Sequence, residues 1–199
     1  MPTNDPTKRR AIYKTMRVYA GSSNRPLAQK IADILGVELS GLALEQFANG
    51  EIYARYEETV RGADVFLIQS IAGENVNDML MEVLVAADAA KRASARSITA
   101  VITHYGYARQ DRKAAPREPI TARLVADLLE CSGVNNIITL DLHQGQIVGF
   151  FNVPVNHLSA LPLFADYYNA MDLDKDNLVV VSPDVGRAKA AKKLSDMLD

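Results

Sequence analysis

A single cysteine, Cys131, in 199 residues excludes an internal disulfide framework and any thiolate cage around zinc, and it fits a reducing compartment. Apolar runs of membrane-spanning length are also missing. The start, Met1 to Lys14, is polar and carries Lys8, Arg9 and Arg10. It does not read as a signal peptide, and its basic triplet is too short for a nucleic-acid arm. Charge of one sign is lacking too. With 22 basic and 24 acidic residues the net charge is −2, so no global field favours nucleic acid or an anionic membrane. There is no internal repeat, no low-complexity tract, and neither a Gly-x-x-x-x-Gly-Lys nor a Gly-x-Gly-x-x-Gly phosphate loop. What remains is ordinary: 48% hydrophobic and 23% charged residues, enough for one good-sized domain or one domain plus part of a second. The expectation is a cytoplasmic α/β protein without nucleic-acid or membrane partners.

Apolar runs of strand length alternate with segments of helical period. Arg17–Ala20, Asp64–Gln69, Ser97–Ile102, Asn136–Asp141 and Asn177–Ser182 are short and mostly apolar throughout, as strands covered on both faces are. Val37–Leu39 and Glu51–Tyr56 alternate, which suits half-exposed antiparallel strands. Pro26–Leu35 puts Leu27, Ile31, Ile34 and Leu35 on one helical face, with Gly36 as a stop. Asn75–Ala93, Thr121–Cys131, Ser159–Met171 and Arg187–Leu198 repeat the stripe. This order predicts a mostly parallel sheet flanked by helices. The last strand and helix have no following strand to complete a sheet, so the chain reads as cut before the second domain is finished. The expected division is a polar extension over 1–15, a first domain over 16–165, and the start of a second over 166–199.

In open α/β sheets ligands sit beyond the carboxyl ends of the strands, and four such places carry unusual chemistry. Thr103–Arg117 is a long polar loop with Arg109, Arg112, Lys113 and Arg117, suited to phosphate oxygens or simply solvated. Asp141-Leu142-His143 sets an acid and an imidazole two apart at a strand end, where both point one way, toward a metal or toward structural partners. Asp184 in Ser182–Arg187 stands beside a helix start, as an anion-site residue or merely a cap. Phe47-Ala48-Asn49-Gly50-Glu51 is by itself a turn with Asn-Gly at its tip.

Taken together the stretches resemble ribose-phosphate pyrophosphokinases. Gly21–Asn24, Phe47–Glu51, Val60–Gly62, Asn77–Glu82, Tyr107–Lys113 (YARQDRK), Pro119–Ala122, Asp141–His143 (DLH), Gln146–Phe151 and Val181–Asp184 (SPD) occur in that family's order, from about Met16 to Asp199. The resemblance implies a phosphoribosyltransferase-like fold and transfer of the diphosphoryl group of ATP to the 1-hydroxyl of ribose 5-phosphate. It further implies Mg²⁺ and dimers that build hexamers. Phe47, Asn49, Gly50 and Glu51 would serve the ATP site of a neighbouring subunit, Arg109 and Gln110 the ATP phosphates, and His143 and Asp184 the Mg²⁺.

This sequence also departs from the pattern. Asn49 stands where the family usually has an acid, His104 where an aromatic is common, Asn152 and Asn156 where aspartates are frequent, and Gly186-Arg187 where Gly-Gly is expected. The family's Lys-Arg catalytic loop and ribose-phosphate loop would follow Asp199. No catalytic residue is named, and Lys192 and Lys193 are not drafted into the role. The alternative is a catalytically silent nucleotide-binding relative.

Overall fold

The computed structural model describes residues 15–171, 173–174 and 177–198, so the expected extension lies outside them except for Thr15. The chain divides into two compact units, one ending at His157 and the other beginning at Leu158.

The first unit is built on a five-stranded sheet. β1 (Met16–Ala20), β4 (Asp64–Ser70), β5 (Ser97–His104), β6 (Asn136–Leu140) and β7 (Val155–Leu158) lie in that order. The three pairings from β1 to β6 are parallel. Between them run α1 (Arg25–Leu35), α2 (Val76–Arg92) and α3 (Thr121–Ser132). Strand alternation sorts the side chains into two cores. Val65, Leu67, Ile98, Ala100, Ile102 and Ile137 pack under α2 and α3 with Val83, Ala87, Val125 and Leu129. On the opposite face Val18, Ala20 and Ile68 pack with Ala28 and Ile31 of α1. Helices thus cover both faces of a mostly parallel sheet, as expected. α1 begins with Asn24 accepting from the Leu27 N–H and a proline in the first turn, and it stops at Gly36, whose φ of 67° is left-handed.

Between α1 and β4 the chain makes a separate antiparallel hairpin of β2 (Leu42–Gln46) and β3 (Ile52–Tyr56). The sequence pattern points to Val37–Leu39 as the companion of the second strand. Instead that segment makes only a single parallel bridge, Val18 to Leu39, and Leu42–Gln46 takes the pairing. β7 is likewise absent from the pattern.

The second unit contains α4 (Leu161–Asn169) and α5 (Ala188–Leu198), joined where the Asn169 amide donates to the Met197 carbonyl at 3.3 Å. The strand expected at Asn177–Ser182 does not form: Val179 and Val181 are 76% and 78% exposed. Among the described residues after Leu158 there is no strand to pair with it, and a β-branched run without a ladder partner has no sheet to join.

Candidate active site at the carboxyl edge of the sheet

At the ends of β1 and β4 the loop Gly21–Asn24 is stitched down. Gln69, fully buried, accepts through Oε1 from the Ser23 N–H (3.1 Å) and hydroxyl (2.6 Å), and its amide donates to Glu82 Oε2 at 2.7 Å. The same Glu82 oxygen accepts from the Ser22 N–H at 3.0 Å. Gly21 fits because a Cβ there would stand 2.3 Å from Gln69 Oε1. Sequence reasoning missed this network. Its signal was available: Glu82 is a carboxylate on the buried side of an amphipathic helix, where charge needs partners.

The loop from β5 to α3 carries the first candidate cations. Tyr105 is buried, its hydroxyl donates to the Ala122 carbonyl at 3.0 Å, and burial holds its phenol well above the ordinary range. Gly106 lies against Ile71, whose Cγ2 would be 2.4 Å from an added Cβ. Tyr107 has φ 63°, a left-handed backbone that costs a non-glycine residue about 1–3 kcal/mol and persists only where its surroundings hold it. Its hydroxyl donates to Asn77 Oδ1 in the first turn of α2. A turn follows, closed by the Gln110 N–H on the Tyr107 carbonyl at 2.9 Å.

The two residues expected to grip phosphate now part company. Arg109 is exposed and lines a cavity of about 340 Å³ together with Asp111, Arg112, His143, Gln144 and Gln146. Gln110 instead receives the Thr121 hydroxyl, and its carbonyl accepts from the Ala122 N–H at 3.1 Å, so its side chain and carbonyl are engaged at the start of α3. The floor of the cavity includes buried Asp111, held by the Gln146 amide at 3.0 Å.

His143 reaches this cavity from the end of β6. The strand stops at Leu140 and Asp141 takes φ 39°, which breaks the alternation that would aim Asp141 and His143 the same way. Accordingly His143 lines the cavity and Asp141 is not among its lining residues. The loop is fixed by the Leu142 N–H, which donates to His157 Nε2 at 3.0 Å.

Phe47, Asn49, Gly50 and Glu51 form the tip of the β2–β3 hairpin. The Phe47 N–H donates to the Glu51 carbonyl and the Gly50 N–H to the Phe47 carbonyl, both at 2.8 Å, with Gly50 at φ 89°. Asn49 Oδ1 accepts from the Glu51 N–H at 3.2 Å. Phe47 is 49% exposed, its ring tilted on Tyr53 at 5.9 Å. None of the four is among the residues that line the Arg109 cavity. Beside the hairpin a second cleft of about 260 Å³ is bounded by Ser22, Gln46, Ile52, Asp78 and Glu82. In the second unit, Asp184 caps the short turn Val185–Arg187, accepting from the Arg187 N–H at 3.0 Å.

Comparison with known proteins decides the family. The N-terminal domain of ribose phosphate pyrophosphokinase matches residues 16–133, more than half of the chain. The chain belongs to the ribose-phosphate pyrophosphokinase family. It is 51% identical over 187 residues to the ribose-phosphate pyrophosphokinase of Fusobacterium nucleatum, covering 94% of this chain and 59% of that one. It is 52% identical over 183 residues to ribose-phosphate pyrophosphokinase 2 of Enterococcus faecalis, covering 92% and 56%. The crystal structure of phosphoribosylpyrophosphate synthetase from Mycobacterium smegmatis superposes with a TM-score of 0.87 at 45% identity, covering 92% of this chain and 61% of that one. The chain therefore spans somewhat under two thirds of the length of these family members. Its sheet of parallel strands between helices is the family fold.

Proposed function

We propose that this chain supplies the nucleotide side of a ribose-phosphate diphosphokinase, which moves the diphosphoryl group of ATP to the 1-hydroxyl of ribose 5-phosphate and releases AMP. The observation that carries this is the cavity in which Arg109 meets His143, two residues 34 positions apart brought together beyond the carboxyl ends of β5 and β6. A guanidinium there suits phosphate oxygens through paired N–H donors. Gln110, turned to α3, steadies the loop from which Arg109 projects. In the same reading Phe47, Asn49, Gly50 and Glu51 complete the ATP site of a neighbouring subunit in a dimer-based hexamer. An aromatic left half-exposed at the hairpin tip supports that assignment. Residues 166–199 would begin a second domain like the first.

In the same reading His143 of the first unit and Asp184 of the second are each a candidate Mg²⁺ residue. Among the described residues no group of three His, Cys, Asp or Glu side chains could enclose a metal. A lone imidazole or carboxylate suits an ion that keeps water and phosphate oxygens for most of its shell. Bound there, Mg²⁺ would neutralise phosphate charge and orient the group transferred. The protein's own share is positioning: Arg109 holds the phosphates and Asp111, tied to Gln146, holds the floor beneath them. No helix among the described residues is long and apolar enough to cross a membrane, and we place the protein in the cytoplasm.

The test is calorimetric titration of the chain with Mg-ATP, alongside Arg109→Ala. Binding that is lost in the variant supports the proposal. Binding of equal strength in both would overturn it.

A further inference from the structure

Arg109 has no hydrogen bond or ion pair among the described residues, although it is assigned the anionic part of the substrate. Only its backbone is held, and that backbone limits where the guanidinium can reach. Whatever fixes that backbone therefore acts on the site.

The backbone is fixed one turn earlier. Arg109 is the third residue of the turn Tyr107–Gln110, and the direction of that turn is set by the left-handed φ of Tyr107. A tyrosine left to itself relaxes to negative φ and would swing the residues after it. Tyr105 and Gly106 hold the chain up to that point, through the Ala122 carbonyl and the close approach to Ile71. Beyond it the polar group of Tyr107 itself makes one side-chain bond, to Asn77 Oδ1. Asn77 lies in the first turn of α2, which follows β4 rather than β5, so the bond ties neighbouring βα loops together.

We propose that Tyr107 is a positioning residue for Arg109, anchored by Asn77 across the gap between these two loops. The functional consequence rests on the assignment of Arg109 to the nucleotide phosphates. The tether itself does not, and the experiment separates the two.

Four variants are compared with wild type: Tyr107→Phe, Asn77→Ala, the two together, and Asn77→Asp. Amide hydrogen exchange at Gln110, whose N–H closes the turn, reads the tether directly. Titration with Mg-ATP reads its effect on the site, and thermal unfolding reports on the rest of the fold. We expect Gln110 exchange to quicken about 10-fold and the Mg-ATP Kd to rise about 5-fold in Tyr107→Phe, because small displacements of a positioned group are felt strongly. Asn77→Ala should match it. The double variant should lose no more than either single, since both remove one interaction. Asn77→Asp, which keeps an acceptor for the hydroxyl, should return exchange and affinity to within about twofold of wild type. The unfolding midpoint should stay nearly constant throughout.

Unchanged Gln110 exchange in Tyr107→Phe overturns the proposal. So does a double variant whose losses multiply, or an Asn77→Asp variant as poor as Asn77→Ala. If the wild-type chain does not bind Mg-ATP, the nucleotide assignment of Arg109 falls, and the exchange series alone decides the tether.

Discussion

Two loops of the first unit carry the residues assigned to ATP, and they are built in opposite ways. The loop after β5 is over-determined. Tyr105 is bonded to α3, Gly106 is pressed on Ile71, Tyr107 is tied to α2, and the Gln110 carbonyl receives a helix N–H. The hairpin tip Phe47–Glu51 is held mainly by its own turn and by Gln46, whose amide donates to the Gly50 carbonyl at 3.3 Å. The first loop fixes the backbone from which a cation projects before any ligand arrives; the second leaves an aromatic ring half-exposed at its tip. Such a division suits a site whose phosphate half belongs to one subunit and whose base half is lent by another.

The comparison can be broken most directly at Arg109. Arg109→Ala should weaken Mg-ATP binding by about 10- to 100-fold, the range of a lost hydrogen bond to a charged group, with the unfolding midpoint unchanged. Gly106→Ala tests the rigidity of the same loop. The new methyl must displace Ile71, whose backbone oxygen would lie 3.1 Å away, so stability should fall by about 1–3 kcal/mol in urea unfolding. Phe47→Ala probes the other loop and should divide the effects differently. Stability should move by less than about 0.5 kcal/mol because the ring is half-exposed. The proposed sharing of the site between subunits requires Mg-ATP affinity to fall in this variant, and to fall further on dilution. Unchanged affinity would remove Phe47 from the site.

The smallest effect belongs to the opposite edge of the sheet, where no ligand residue is assigned. Hydrogen bonding from Arg96 holds the Asp64 carboxyl below its ordinary 3.8, with Ser97 and Thr15 adding to it. A depressed folded pKa means that the stabilisation is present above about 3.8 and is lost as pH falls through the folded value. Asp64→Asn should cost about 1 kcal/mol at pH 7, and the gap from wild type should close on acidification, while Mg-ATP affinity at pH 7 stays the same.

Much of the fold was legible in the sequence because its signal is local. Val65, Leu67, Ile98, Ala100, Ile102 and Ile137 form the larger core by simple alternation, and the stripes of α1, α2 and α3 were readable at helical period. Leu42–Gln46 escaped because Leu-Ala-Leu-Glu-Gln has no strand preference of its own and becomes a strand only through its partner Ile52–Tyr56. Asn177–Ser182 shows the reverse: strand-forming side chains without a partner. At the site, Arg109 and His143 were candidates from residue type and position, whereas strand alternation cannot be carried through Asp141 to His143 because φ turns positive at Asp141. The partners of Gln69, Glu82 and Asn77 were not legible in sequence, since they lie 10 to 60 positions away, although Glu82 signalled itself as a carboxylate on the buried side of a helix.

The sequence by itself determined the helices and the four parallel strands at the centre of the first unit, and which motifs mark the family, because periodicity and residue chemistry are properties of short stretches. Only the tertiary structure decided that Arg109 and His143 share a cavity while Gln110 turns to α3. It alone showed that a tyrosine holds a backbone it would otherwise avoid. Such outcomes depend on contacts between residues far apart in the chain, and no local pattern encodes them.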